Sequence, residues 1–346
     1  MLAADADAEV RIAALDTLNA RLRQTVDGQA RAVRLRGPSK ARGFADVAIA
    51  DDLLVAAESR AVEAFDPRTG RRRWRSRSIG ADVVLILNDR VIVGDTDGAL
   101  TALDARGTVA WRSPSGGEDD RIQRLLAIDR ALGVLRKDRF EWRDPGTGRI
   151  LQSIAGAHVY DADVSGRTVY LLTGDQLQKI VDGRVLARRD VRRGLGVSAR
   201  DNMVCVVRSE NNTPASAELA CFDGDTLAPR WTRSVPRTNT WGHRVAPVQS
   251  ASSVFMPSAI QLTAFRRDDG APLWADRAGQ EVQGGLFVAS WGLFSTAPDY
   301  RLELRAPDSG EVIAIGPGKK GVIAVAPSGR VAAFGARDGS LWILRP

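Results

Sequence analysis

From Phe44 to the C-terminus the apolar residues fall into short runs separated by Gly, Asp, Pro and Ser. Within runs such as DVAIA, LLVAAES, DVVLILN and RVIVGD the apolar positions are continuous or alternate with polar ones. That pattern predicts strands joined by tight turns, and no sustained 3.6-residue period interrupts it. Residues 3–23 are different. Leu15, Leu18 and Leu22 recur at helical spacing, and Ala13 and Ala14 permit close packing. Asp5 or Asp7 can cap the N-terminus, and Glu9 suits the first turn. One amphipathic helix over 1–24 is therefore expected, then a polar connector over 25–43 containing one strand-like piece, 30–36.

The β-like part repeats itself. AVEAFDPRTGRRRW (61–74), ALTALDARGTVAW (99–111), RFEWRDPGTGRILQ (139–152), ELACFDGDTLAPRW (218–231), QLTAFRRDDGAPLW (261–274) and RLELRAPDSGEVIA (301–314) each read as strand, Asp- or Gly-rich turn, strand. A weaker copy is QLQKIVDGRVLA (176–187). Trp74, Trp111, Trp231 and Trp274 stand four residues after the turn position, where the other copies carry Gln152, Ala187 and Ala314. These positions are 37, 41, 35, 44, 43 and 40 residues apart, and the intervals hold two further strands each. A period near 40 made of four strands indicates propeller blades, with the tryptophans as blade anchors. The seven hairpins give seven blades. After them, GVIAVAPSGRVAAFGARDGSLWILRP (321–346) supplies three more strands, and the piece at 30–36 is the natural fourth. The expectation is an all-β, eight-bladed propeller of four-stranded antiparallel blades over 44–346. The N-terminal strand would close it and the short helix would precede it. Seven blades is the alternative if that strand pairs elsewhere.

The D-x-x-T-G-x-x-x-W pattern, as in Asp66 to Trp74, resembles the PQQ-like (quinoprotein-type) β-propeller repeat. Asp7, Val10, Arg11, Ala13, Ala14 and Leu18 are similar to the second helix of a HEAT repeat. The enzymes among PQQ-like propellers would need a quinone in the central channel, calcium held by carboxylate and amide oxygens, and a carboxylate base. Many also bond two adjacent cysteines above the cofactor, whereas Cys205 and Cys221 are not adjacent here. The resemblance therefore implies the non-enzymatic kind, a rigid disc whose loops grip a partner.

Composition adds limits. The 346 residues carry a formal charge of +7, from 49 basic and 42 acidic side chains. No apolar stretch is long enough to span a membrane as a helix. The N-terminal residues MLAADADAEV hold acidic groups and no apolar signal-peptide core. With Met1 as the native start the expected location is cytoplasmic, or periplasmic if an upstream signal has been removed. Cys205 and Cys221 lie in apolar runs that suit neighbouring strands, and buried free thiols are expected ahead of a disulfide. His158 and His243 are the only histidines, too few for a histidine-rich metal site. The acidic run Glu118, Asp119 and Asp120 reads as a solvated loop, and GPGKKG (316–321) as a basic turn between blades. No catalytic residue, cofactor, metal or small-molecule substrate is expected.

What remains is partner binding. Arg71, Arg73, Arg75 and Arg77 alternate along one strand opposite Trp74, while Arg188, Arg189, Arg192 and Arg193 form a second basic cluster. On a blade's outer strand such charge discourages edge-to-edge pairing. Gathered on one side, it would also suit a nucleic acid, which is the less favoured partner. Trp241, His243 and Arg244 stand outside the hairpin pattern, on a loop between blades. They are candidates for contact with another protein subunit.

Overall fold

The computed structural model describes residues 31–36, 44–50, 52–58, 61–77, 79–117, 120–156, 158–209, 216–236, 246–258, 261–276, 286–289, 291–296, 302–315, 322–327, 331–336 and 339–345. These form eight four-stranded antiparallel sheets. Blades 1 to 7 run in chain order over 44–77, 83–113, 122–155, 159–190, 194–236, 248–276 and 287–315. In each, successive strands neighbour one another from the innermost to the outermost. Blade 8 takes Val322–Pro327, Ala332–Ala336 and Leu341–Arg345 from the C-terminus. Its outermost strand is Arg31–Arg36, antiparallel to Leu341–Arg345. The protein is an eight-bladed β-propeller. The expected helix over 1–24 lies outside the described residues, among which there is no α-helix.

Period-two alternation builds the core between blades rather than within them. In the second strand of blade 1, Leu54 and Ala56 pack against Ala333, Leu341 and Ile343 of blade 8. The intervening Val55 and Ala57 pack against Val84, Val91 and Leu103 of blade 2. The same division recurs at the other seams, each an apolar cluster shared by two neighbouring blades. A sheet whose two faces are both buried needs apolar residues at both parities, which explains the continuous runs in the second and third strands.

The repeated tryptophans tie each blade to the next. Indole Nε1 of Trp74 donates to the Ala105 carbonyl at 3.0 Å, and Trp111 to Pro145 at 2.9 Å. Trp231 donates to Arg267 and Trp274 to Pro307, both at 2.8 Å. Each acceptor sits in the Asp-rich turn of the following blade. There the ring lies against a glycine at positive φ: Gly107, Gly148, Gly270 or Gly310. A Cβ on any of the four would come within 2.5–2.6 Å of a ring carbon. Glycine is thus required twice, by the left-handed backbone and by the docked indole. Gln152 takes the anchor place in blade 3 and donates to the Gly183 carbonyl. Blade 4 departs from the rule in a compensating way. Its anchor position is Ala187, and the glycine's place in blade 5 is taken by Leu227, φ 57°, which fills the same cluster as Ala187.

Two expectations are corrected. Cys205 and Cys221 are not free thiols but a disulfide. They face each other directly across the second and third strands of blade 5, with Cα atoms 4.1 Å apart, so adjacent strands already hold the sulfurs together. Nor do Arg71, Arg73, Arg75 and Arg77 form one simple row. The outer strand of blade 1 is Arg72–Arg77, and Ala64 pairs with Trp74 while Phe65 pairs with Arg72. Arg73 is therefore the extra residue of a β-bulge, which breaks the alternation.

Candidate functional site

The arginines singled out from sequence fall into two different settings. In blade 1, Arg73 is ion-paired with Asp66 at 3.2 Å and Asp52 at 3.4 Å. Arg75 is paired with Glu63 at 3.3 Å and Glu58 at 3.9 Å, and Arg72 also reaches Glu63 at 3.3 Å. Most of this charge is answered locally. Asp66 in turn accepts the N–H groups of Arg68 and Thr69. Those donors, the Thr69 N–H foremost, hold its carboxyl down to about 2.

The second cluster lies on blade 4 and just beyond it. Arg188 and Arg189 are on its outer strand, Arg184–Asp190, and Arg192 and Arg193 follow on the link to blade 5. All four are exposed, and no ion pair involves them among the described residues. Arg193 is the most constrained. Its φ is 58°, a left-handed conformation costing about 1–2 kcal/mol in a non-glycine residue. Two neighbours hold it there. The Asp175 carboxylate accepts its N–H at 2.9 Å, and its carbonyl accepts the N–H of Ser209 at 3.2 Å.

Backbone hydrogen bonds extend this arrangement along one rim of the disc. Val159 N–H donates to Lys137, Gly174 to His158, and Val191 to Asp175. Blades 3, 4 and 5 are thereby linked through Lys137, His158, Asp175 and Arg193. Tyr160 stands beside His158, 46% exposed, the two rings 6.2 Å apart. Tyr160 is the extra residue of a bulge between Val159 and Asp161, which turns it out of the inner strand. Sequence reasoning singled out Arg193 but missed Tyr160 and the rim they share, because a bulge and a left-handed backbone leave no repeat signature. Trp241, His243 and Arg244 lie outside the described residues.

The inner strands carry a ring of polar contacts that span the seams. Asp46 accepts the N–H of Val47 and, across the seam, that of Val84, both at 2.9 Å. Asp161 does the same for Ala162 and Val197, and Asp163 accepts Ala199 N–H at 2.8 Å. Arg124 of blade 3 reaches Asp161, Asp163 and the Ala162 carbonyl of blade 4. Gln249 of blade 6 donates to the Ser198 carbonyl at 2.7 Å. Burial, reinforced by Asp82, pushes the Asp46 carboxyl up to about 7 despite its two backbone donors.

The channel carboxylates are committed to backbone N–H groups and to Arg124, and no cluster of three or more His, Cys, Asp or Glu is arranged for a metal among the described residues. The disulfide is buried in the seam between blades 5 and 6, away from the channel-lining strands. No described helix is long and apolar enough to cross a membrane.

Fold and anchors together define a propeller of PQQ-like repeats. The family model described as "Outer membrane protein assembly factor BamB" matches residues 6–140 and, in an overlapping second alignment, 57–231, and the chain belongs to that family. BamB from Moraxella catarrhalis shares the fold, with a TM-score of 0.68 at 16% identity over 91% of this chain and 98% of that one. The computationally designed Ika8 protein is similar to the same degree, at TM-score 0.69 and 14% identity over 89% and 98%. No curated protein matches the sequence.

Proposed function

We propose that this chain is a non-catalytic docking platform, a rigid disc that holds another protein subunit within a larger assembly. The carrying observation is the rim at blades 3 to 5. There Arg193 is kept in an unfavourable backbone conformation by Asp175 and Ser209, its side chain is exposed without an ion-pair partner among the described residues, and Tyr160 is exposed on the same rim. Strained backbone held by its surroundings clusters at binding and switch sites. Arginine and tyrosine are also the residues that most often anchor protein interfaces. The family description, an outer-membrane protein assembly factor, supports the same reading.

The Cys205–Cys221 disulfide supports the extracytoplasmic alternative for location, because such bonds persist in oxidising compartments. The pairing of Arg31–Arg36 with Leu341–Arg345 supports an N-terminal strand that closes the ring. Leu35 of that strand abuts Gly70 of blade 1, in the manner of an anchor, and Arg345 reaches the Pro67 and Arg68 carbonyls.

The test is to isolate the tagged full chain from its own cells and weigh the native complex. A stoichiometric protein partner that is lost with Arg193→Glu supports the reading. A partner-free chain that binds pyrroloquinoline quinone with calcium and oxidises alcohols would replace it with the enzyme reading.

A further inference from the structure

We propose that the outer wall of blade 4 is a second contact surface, one that takes an acidic, extended segment of a protein partner; this rests on the docking-platform reading. The inference comes from a difference between edges that look alike in sequence. Most outer-strand arginines of blades 1 and 5 are answered from within the fold, whereas Arg77 of blade 1 and Arg112 of blade 2 each stand singly without a partner among the described residues. Arg73 and Arg75 of blade 1 are ion-paired, as is Arg230 of blade 5 with Asp223 at 2.8 Å. Arg233 of blade 5 donates to the Gly270 and Asp269 carbonyls at 2.7 and 2.9 Å. On blade 4, Arg184, Arg188 and Arg189 are exposed and have no carboxylate partner. The acidic groups beside them are engaged elsewhere. Asp182 pairs with Arg167 at 2.6 Å, and Asp190 accepts from Gln176 at 3.4 Å.

The geometry of the strand narrows the partner. Leu186 is a bulge residue, since Lys179 pairs with Ala187 and Ile180 with Val185. The bulge reverses the parity of the strand. Val185 packs toward the seam with blade 3, and Ala187 toward the seam with blade 5. Arg188, opposite Gln178, therefore stands on the blade 3 side, while Arg189 lies over the Phe222 ring of blade 5, 5.9 Å from its centroid. Positive charge thus flanks both sides of one narrow edge, and Leu186 projects between them, 61% exposed. A chain with carboxylates on both sides and an apolar residue between them complements this edge. Single-stranded nucleic acid complements it less well, because RVLARRD offers no aromatic ring on which bases could stack.

The probe is a fluorescent decaglutamate peptide with one central leucine, titrated into the full chain by anisotropy at low salt, with labelled oligo(dT) of equal charge alongside. Arg184→Gln with Arg188→Gln is expected to weaken the peptide about tenfold or more, and rising salt to weaken it further. Arg73→Gln with Arg75→Gln should change it less than twofold. Thermal unfolding of the blade 4 variant should be unaltered, because neither side chain has a partner to lose. Equal weakening by both pairs, or no peptide binding, overturns the proposal. Oligo(dT) binding more tightly, with the same dependence on Arg184 and Arg188, overturns it in favour of nucleic acid. If the blade 4 variant keeps its native partner in cells at full occupancy, the second surface is refuted while the docking-platform reading stands.

Discussion

Replacing Gly148 by alanine tests the seam architecture, because two separable penalties meet at that position. Its φ of 75° charges any L-residue for a left-handed backbone, and its added Cβ would stand 2.6 Å from a ring carbon of Trp111. Gly166 isolates the first penalty: its φ is 61° and nothing lies within 4 Å of the added Cβ. The left-handed cost is about 1–2 kcal/mol, offset by about 0.4–1 kcal/mol from a stiffer unfolded chain. Gly166→Ala should therefore destabilise by about 0–1.6 kcal/mol. Gly148→Ala adds the overpacking of an indole that is also tied to Pro145, about 1–3 kcal/mol more. Urea unfolding of both variants, with Trp111→Ala and the double variant, completes a cycle. Trp111→Ala alone should cost about 2–4 kcal/mol, since the ring is only partly buried. Its presence should reduce the Gly148→Ala penalty to that of Gly166→Ala, a coupling of about 1–3 kcal/mol. Additive effects, or equal losses for the two glycines, would refute the docking of one blade's tryptophan on the next blade's turn.

The exception in the pattern should be convertible to the rule. Ala187→Trp alone should destabilise by several kcal/mol against Leu227, and adding Leu227→Gly should recover most of it, read by the same urea midpoints. The Asp46 carboxyl, raised to about 7 from an unfolded value near 3.8, holds its proton longer in the folded state. Stability from this group is fully present below about pH 4 and declines as pH rises through 7, by at most about 4 kcal/mol. Asp46→Asn should flatten that decline between pH 5 and 8, and an unchanged profile would contradict it. Alkylation under denaturing, non-reducing conditions should leave both cysteines unmodified by intact mass. The Cys205→Ser, Cys221→Ser variant should lose about 3 kcal/mol, as expected for a 16-residue loop.

The blades were legible in the sequence because their determinants are local and repeated. An alternating strand, an Asp-capped turn and an anchor four residues later recur at nearly constant spacing. The reciprocal choice of Ala187 with Leu227 was not legible, since it joins residues of different blades through a shared cluster. The free or paired state of the thiols turned on register. Cys205 and Cys221 could be placed on neighbouring strands from their apolar runs, but not directly opposite each other. The same limit applies to the arginines: Arg73 and Arg188 look equivalent along the chain, and only the structure shows Asp66 and Asp52 beside one and no carboxylate beside the other. The rim at Arg193 depends on a bulge and a left-handed residue held by Asp175, neither of which has a compositional signal.

A photocrosslinking residue at Tyr160, with one at Arg106 as a control in the turn between the third and outer strands of blade 2, tests the docking rim in living cells. The account predicts a single discrete protein adduct from position 160, abolished by Arg193→Glu, and none from position 106. No adduct at 160, or one indifferent to Arg193, would contradict it.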